Sequence, residues 1–114
     1  MDIKTDDYSV WYEPTTATVN FQGLLRLAGI PDYEPIIQLL DDVTQQEPAT
    51  ITMNLIELKF LNSSGMSVLS RFVIGVRKKK TTKLVVKGSQ NISWQEKSLN
   101  NWQKLMPTLM LEWE

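Results

Sequence analysis

"FLNSSGMSVLSRFVIGVRKKK", residues 60–80, holds the passage from strand to helix on which the fold turns. It opens in apolar, strand-like residues, runs through Asn62, Ser63, Ser64 and Gly65, and continues at helical spacing to a basic end. At about 100° per residue, Gly65, Val68, Leu69, Phe72 and Val76 gather opposite Ser63 and form the expected core face. Gly65 within that face predicts a close approach of the helix start to the sheet. Ser67, Ser70, Arg71, Ile74, Arg77 and Lys78 fall on the side of Ser63 and predict a solvated face. Ile74 is its apolar exception, and beside small hydroxyls and Arg71 it marks a contact point for a partner.

Outward from this stretch the pattern alternates between strand and helix. Residues 8–12 (YSVWY) and 16–21 (TATVNF) flank Pro14 and read as an antiparallel hairpin, with Ala17, Val19 and Phe21 at period two. Asp32 offers an N-cap to a helix over 33–45, whose face carries Tyr33, Ile36, Ile37, Leu40 and Thr44 and whose first turn tolerates Pro35. Residues 50–58 (TITMNLIEL) are strand-like, and "TKLVVKG" at 82–88 reads as a buried parallel strand. Ser93 and Glu96 form a capping-box pattern before a helix carrying Trp94, Leu99, Trp102 and Leu105, and residues 108–113 (TLMLEW) close the chain as a strand. The order β-β-α-β-α-β-α-β predicts a single α/β domain over 1–114: a mixed, mostly parallel sheet with an N-terminal hairpin and about three helices.

Composition narrows the chemistry. The 114 residues suit one domain, and 42% hydrophobic with 22% charged residues is ordinary for a folded globular chain. Twelve Lys and Arg against thirteen Asp and Glu leave a net charge of −1, so no overall field draws the chain to nucleic acid or anionic lipid. There is no cysteine and no histidine, which removes thiolate chemistry, the usual general base and the usual zinc ligands. A nucleophilic serine at 63 would need a lysine or carboxylate base; Met66 stands where a Ser-x-x-Lys pair would have its lysine. "GLLRLAG" at 23–29 lacks the Lys-Ser or Lys-Thr of a phosphate-binding loop, and Asp41–Asp42 lacks calcium-loop spacing. The basic run Arg77–Lys80 is what a helix C-terminus favours and reads as a solvated end. No cofactor, metal or catalytic residue is expected. The acidic, polar amino terminus and the lack of a membrane-length apolar run set a cytoplasmic expectation. Trp94 and Trp102 read as core, whereas Trp11 and Trp113, in terminal strands, leave a homodimer contact open.

The serine pair has two readings. One hydroxyl is the N-cap of the helix, a role worth about 1 kcal/mol. Alternatively a phosphate is carried there, where free N–H groups and the positive end of the helix dipole meet it without unfolding the domain.

"LNSSGMSVL" at 61–69 resembles the signature of STAS domains, the anti-sigma factor antagonist fold, and "FQGLLR" at 21–26 resembles the strand that ends in Gly-x-Leu in that family. "FLNSSGM" and "YEPIIQLL" at 33–40 are also similar to the SiaC-type regulatory phosphoproteins. Asn62 and Arg26 stand where acidic residues are usual in STAS domains. The resemblance implies a non-enzymatic, bacterial partner-switching protein phosphorylated on Ser63 by a GHKL-type serine kinase and dephosphorylated by a PP2C-like phosphatase. It further implies a partner-binding surface of Asn62, Ser64, Gly65, Met66, Ser67, Ser70, Arg71 and Ile74, with Ser64 in a structural hydrogen bond and Gly65 in tight packing. The alternative is a constitutive STAS-like adaptor that uses the same surface without phosphorylation.

Overall fold

The computed structural model describes residues 2–114. Six strands form one mixed sheet in the order β1-β2-β3-β4-β5-β6: Asp2–Lys4, Tyr8–Glu13, Thr18–Leu25, Thr50–Leu61, Lys83–Gly88 and Met110–Trp113. The helices α1 (Glu34–Gln45), α2 (Ser63–Lys79) and α3 (Gln95–Leu105) connect the last four strands. Pairing is antiparallel from β1 to β3 and parallel from β3 to β6. The hairpin and the three helices stand where the periodicity predicts, but α1 buries Ile36, Leu39, Leu40 and Val43, a face turned away from the expected row, which leaves Ile37 and Thr44 half-buried. Strand β1 is an addition: three residues are too few to show a period, and they are held by pairing Ile3 with Val10 and Asp2 with Trp11.

Each parallel connection moves one place in the same direction across the sheet. Right-handed crossovers that never reverse direction put every helix on one face. That face buries Val10, Val19, Phe21, Ile51, Met53, Leu55, Leu84 and Val86 under the helices. The other face carries a polar ladder in which Asn54 Nδ2 donates to Asn20 Oδ1 (2.9 Å) and Asn20 Nδ2 donates to Glu13 Oε1 (3.0 Å). The Trp11 indole also donates to Glu13 from that side.

Two helix starts differ from expectation. Asp32 does not cap α1: residues Ile30–Tyr33 form a separate 3₁₀ turn, and α1 begins at Glu34 with no side-chain cap. Pro31 and Pro35 each sit in the first turn of their own segment, so two short starts replace one. Ser93 likewise caps nothing; α3 begins at Gln95, and the N–H of Gln95 bonds back to the carbonyl of Ile92.

The cause lies in Gln95, which is fully buried. Strand β4 runs on to Leu61, beyond its last pair with β5 at Asn54 and Lys87, and it is bulged against β3. The Gln95 amide enters where the two strands part. Its Oε1 accepts from the Ser89 N–H (2.7 Å), and its Nε2 donates to the carbonyls of Leu55 (2.7 Å) and Leu58 (3.1 Å). The Trp94 indole adds a further bond to the Leu58 carbonyl. A side chain thus completes a backbone ladder, satisfying buried groups that would otherwise cost about 1–3 kcal/mol each. Gln95→Leu is expected to lower unfolding free energy by about 2–4 kcal/mol in urea denaturation, whereas Gln90→Leu on the exposed turn leaves it unchanged.

Candidate functional site

The site sits where parallel strands end and helices begin, a rim where the open ends of helix backbones are available to partners and ligands. Helix α2 starts at Ser63, directly after β4. Its N-cap is Asn62, with extended backbone and a side-chain Oδ1 that accepts from the Gly65 N–H at 2.9 Å. The capping role expected of a serine therefore belongs to asparagine, an equally good cap. The same Oδ1 accepts from the Tyr33 hydroxyl (2.7 Å), while Nδ2 donates to the Leu27 carbonyl (2.7 Å). The backbone N–H of Asn62 bonds to the Leu25 carbonyl. The carboxamide ties together the turn after β3, the start of α1 and the start of α2, and the backbone N–H of the same residue adds the end of β3.

Gly65 completes this junction. An added Cβ would collide with a Leu61 methyl and lie 2.6 Å from the Tyr33 hydroxyl oxygen, so the helix start lies against Tyr33 with no room for a side chain. Tyr33 itself is buried, and that burial raises its phenol pKa above the ordinary value; the backbone at Leu27 lowers it and Tyr8 raises it by smaller amounts.

With the cap supplied by Asn62, the serines are released. Ser63 is exposed and Ser64 half-buried, and neither hydroxyl makes a hydrogen bond among the described residues. The structural bond expected of Ser64 is not made among the described residues; the side-chain bond at this helix start is that of Asn62. The N–H groups of Ser63 and Ser64 likewise find no acceptor among the described residues.

Along α2 the expected core face is buried, and Val73 joins it. The opposite face is less uniform than the helical projection. Ser67 and Arg71 are exposed, Met66 and Ile74 are half-buried, and Ser70 accepts a hydrogen bond from the Trp102 indole at 2.9 Å. Ser70 is turned to internal use because α3 packs along that flank of α2, which a projection of α2 alone does not contain. Asn62, Gly65 and Ser70 thus have their polar or packing roles inside the domain, while Ser63, Ser67 and Arg71 form an outward stripe one turn apart. Trp102 is buried, whereas Trp94, Trp11 and Trp113 are half-buried. Arg26 forms an exposed ion pair with Asp7 at 3.8 Å, an interaction worth at most about 1 kcal/mol. Among the described residues no group of three His, Cys, Asp or Glu side chains is placed to hold a metal, and no helix is long and apolar enough to cross a membrane.

The six-strand mixed sheet, the one-sided helices and the strand-to-helix rim define a STAS-like fold. Among the solved structures that share it are two. One is a chain of the crystal structure of the diguanylate cyclase SiaD in complex with its activator SiaC from Pseudomonas aeruginosa, with a TM-score of 0.67 and 9% identity over 100% of this chain and 99% of that one. The other is the Bacillus cell fate determinant SpoIIAA in its phosphorylated form, with a TM-score of 0.58 and 20% identity over 91% of this chain and 89% of that one. No family model and no curated protein matches the sequence.

Two outcomes follow from the junction. Asn62→Asp keeps the acceptor and places a charge at a helix N-terminus, a gain of about 0.3–1 kcal/mol, but it removes the donor to Leu27 and sets a carboxylate against that carbonyl, a loss of about 1–3 kcal/mol. The loss wins, and urea denaturation is expected to show a less stable variant. Tyr33→Phe is expected to cost about 1 kcal/mol at neutral pH. Because the folded state holds the Tyr33 proton more tightly than the unfolded chain, that contribution is whole below about pH 10 and falls away as pH rises beyond it. Denaturation at pH 7 and at alkaline pH should therefore show the difference between wild type and Tyr33→Phe shrinking.

Proposed function

We propose that this protein is a non-enzymatic regulatory switch that acts by binding protein partners and is controlled by phosphorylation of Ser63. The observation that carries the reading is the division of labour at the start of α2. Asn62 performs the capping, and Ser63 presents an exposed hydroxyl that, like two backbone N–H groups beside it, has no partner among the described residues. A phosphate on that hydroxyl adds about −1.5 to −2 charges and meets the positive end of the helix without displacing any internal hydrogen bond. Its consequence falls on the partner, because the stripe of Ser67 and Arg71 continues from it along the outer face of α2.

The comparisons lend support by analogy of fold. SpoIIAA was solved in a phosphorylated form, and the SiaC structure is that of an activator bound to the enzyme it activates. On this reading the partners are a GHKL-type serine kinase, a PP2C-like phosphatase and a regulated target, all meeting the chain in a bacterial cytoplasm. Ser64, Met66 and Ile74 flank the stripe and complete the contact surface. A constitutive adaptor remains the second reading. It is favoured by Asn62, whose neutral amide is committed to Leu27 and leaves no carboxylate beside the acceptor hydroxyl.

The protein isolated from its native cells is expected to carry a phosphatase-sensitive phosphate that peptide mapping places on Ser63. Ser63→Asp is expected to weaken binding to the regulated partner while leaving the thermal midpoint unchanged. An unmodified Ser63 under several growth conditions, with Ser63→Ala binding as wild type, would sink the switch in favour of the adaptor.

A further inference from the structure

Between α1 and α2 runs an open groove of about 170 Å³. Ile37 and Leu40 of α1 and Val68 and Phe72 of α2 give it an apolar floor. Apolar cavities of about 150 Å³ admit a molecule the size of benzene, so this one is large enough for an aliphatic or aromatic side chain. Its two walls carry opposite charges, Asp41 on α1 and Arg71 on α2. Both side chains are exposed, and neither forms an ion pair or hydrogen bond among the described residues.

Gly75 also lines the groove and lies well inside α2. Glycine there costs the helix about 1 kcal/mol relative to alanine. Neither backbone conformation nor close packing requires it. Its φ is not positive, and an added Cβ would meet nothing within 4 Å. This is the reverse of Gly65, where a Cβ would strike Leu61 and Tyr33. A methyl group at 75 would meet nothing inside the domain and would stand in the groove.

We propose that this groove is the anchor site for a protein partner, taking one apolar side chain over Gly75 from a segment that also presents a carboxylate to Arg71. The unpaired Asp41 on the facing wall sets the direction of that segment by favouring a cationic group on its own side. Arg71 lies eight residues from Ser63, about 12 Å along the helix axis, so the anchored segment and the Ser63 hydroxyl belong to one continuous surface. The inference rests on the reading of α2 as a partner-binding helix and adds the chemistry by which the partner is recognised.

The test places the photo-crosslinking residue p-benzoylphenylalanine at Thr44, on the groove wall, in the full chain expressed in its native cells, with Thr52 on the bare sheet face as the control position. The expected result is a crosslink from position 44 and not from 52, to a segment that mass spectrometry shows to carry an apolar residue with a neighbouring Asp or Glu. A synthetic peptide of that segment then serves as the probe. Gly75→Leu is expected to weaken its binding about tenfold or more, and Arg71→Glu to weaken it as well. Gly75→Ala should bind within about twofold of wild type and unfold at a higher temperature. No crosslink at 44, a crosslink only to a second copy of this chain, a basic segment without carboxylates, or a peptide that binds Gly75→Leu as wild type would each overturn the groove proposal. Ser63→Asp, measured with the same peptide and with the intact partner, reports on the phosphoswitch separately: its failure leaves the groove standing, and the failure of Gly75→Leu leaves the switch standing.

Discussion

The Asn62 carboxamide is the interaction on which the rest of the structure depends. Its oxygen accepts from the Tyr33 hydroxyl and the Gly65 N–H, and its nitrogen donates to the Leu27 carbonyl, so a single small side chain joins the start of α2 to Tyr33 and to Leu27, 29 and 35 residues away in sequence. Each of these groups is at least partly removed from water, where an unmade hydrogen bond costs more than a made one contributes. The junction therefore holds as a unit. Because asparagine supplies both a donor and acceptors, it meets demands that an aspartate, acceptor-only when ionised, leaves half met.

That commitment shapes the chemistry next to it. A helix start needs an acceptor for its first N–H groups, and any serine there is ordinarily drawn into the task. Here the Gly65 N–H is already taken by Asn62, and Ser63 is left with its hydroxyl in solvent. A group that carries no structural duty can be modified without a folding cost, which is the physical condition for a switch that alters a surface while sparing the domain.

A second constraint is the one-directional winding of β3 through β6. It lines the helices up on one face with α2 between the other two, and each flank of α2 meets a different neighbour. On the α3 side, the bond from the Trp102 indole to Ser70 links the two helices. On the α1 side, Gly75 and the separated charges of Asp41 and Arg71 leave an open groove. The outward surface of α2 is thereby reduced to a narrow stripe with a cleft along one border. The uncovered sheet face is stabilised in another way, by the amide ladder from Asn54 to Glu13 and by side chains that remain partly solvated.

The amino-acid order determined what depends on period and local sterics. The helical projection of residues 63–79 found the buried row of Gly65, Val68, Leu69, Phe72 and Val76, and the period-two runs found the strands, because burying one face of a regular element imposes its repeat on the sequence. Strand β1, too short to hold a repeat, escaped that signal. Tertiary structure alone decided how polar groups were shared between elements. That Asn62 rather than Ser63 or Ser64 caps α2, that Gln95 enters a parted ladder instead of following a capping box at Ser93, and that Ser70 turns to Trp102 are matters of which donor and acceptor come within about 3 Å. The Asn62 cap itself spans three residues, but the Tyr33 bond to it and the bonds of Gln95 and Ser70 join residues roughly 6 to 40 apart, and no local pattern records those, since a hydrogen bond needs only one correctly placed partner and leaves no period behind.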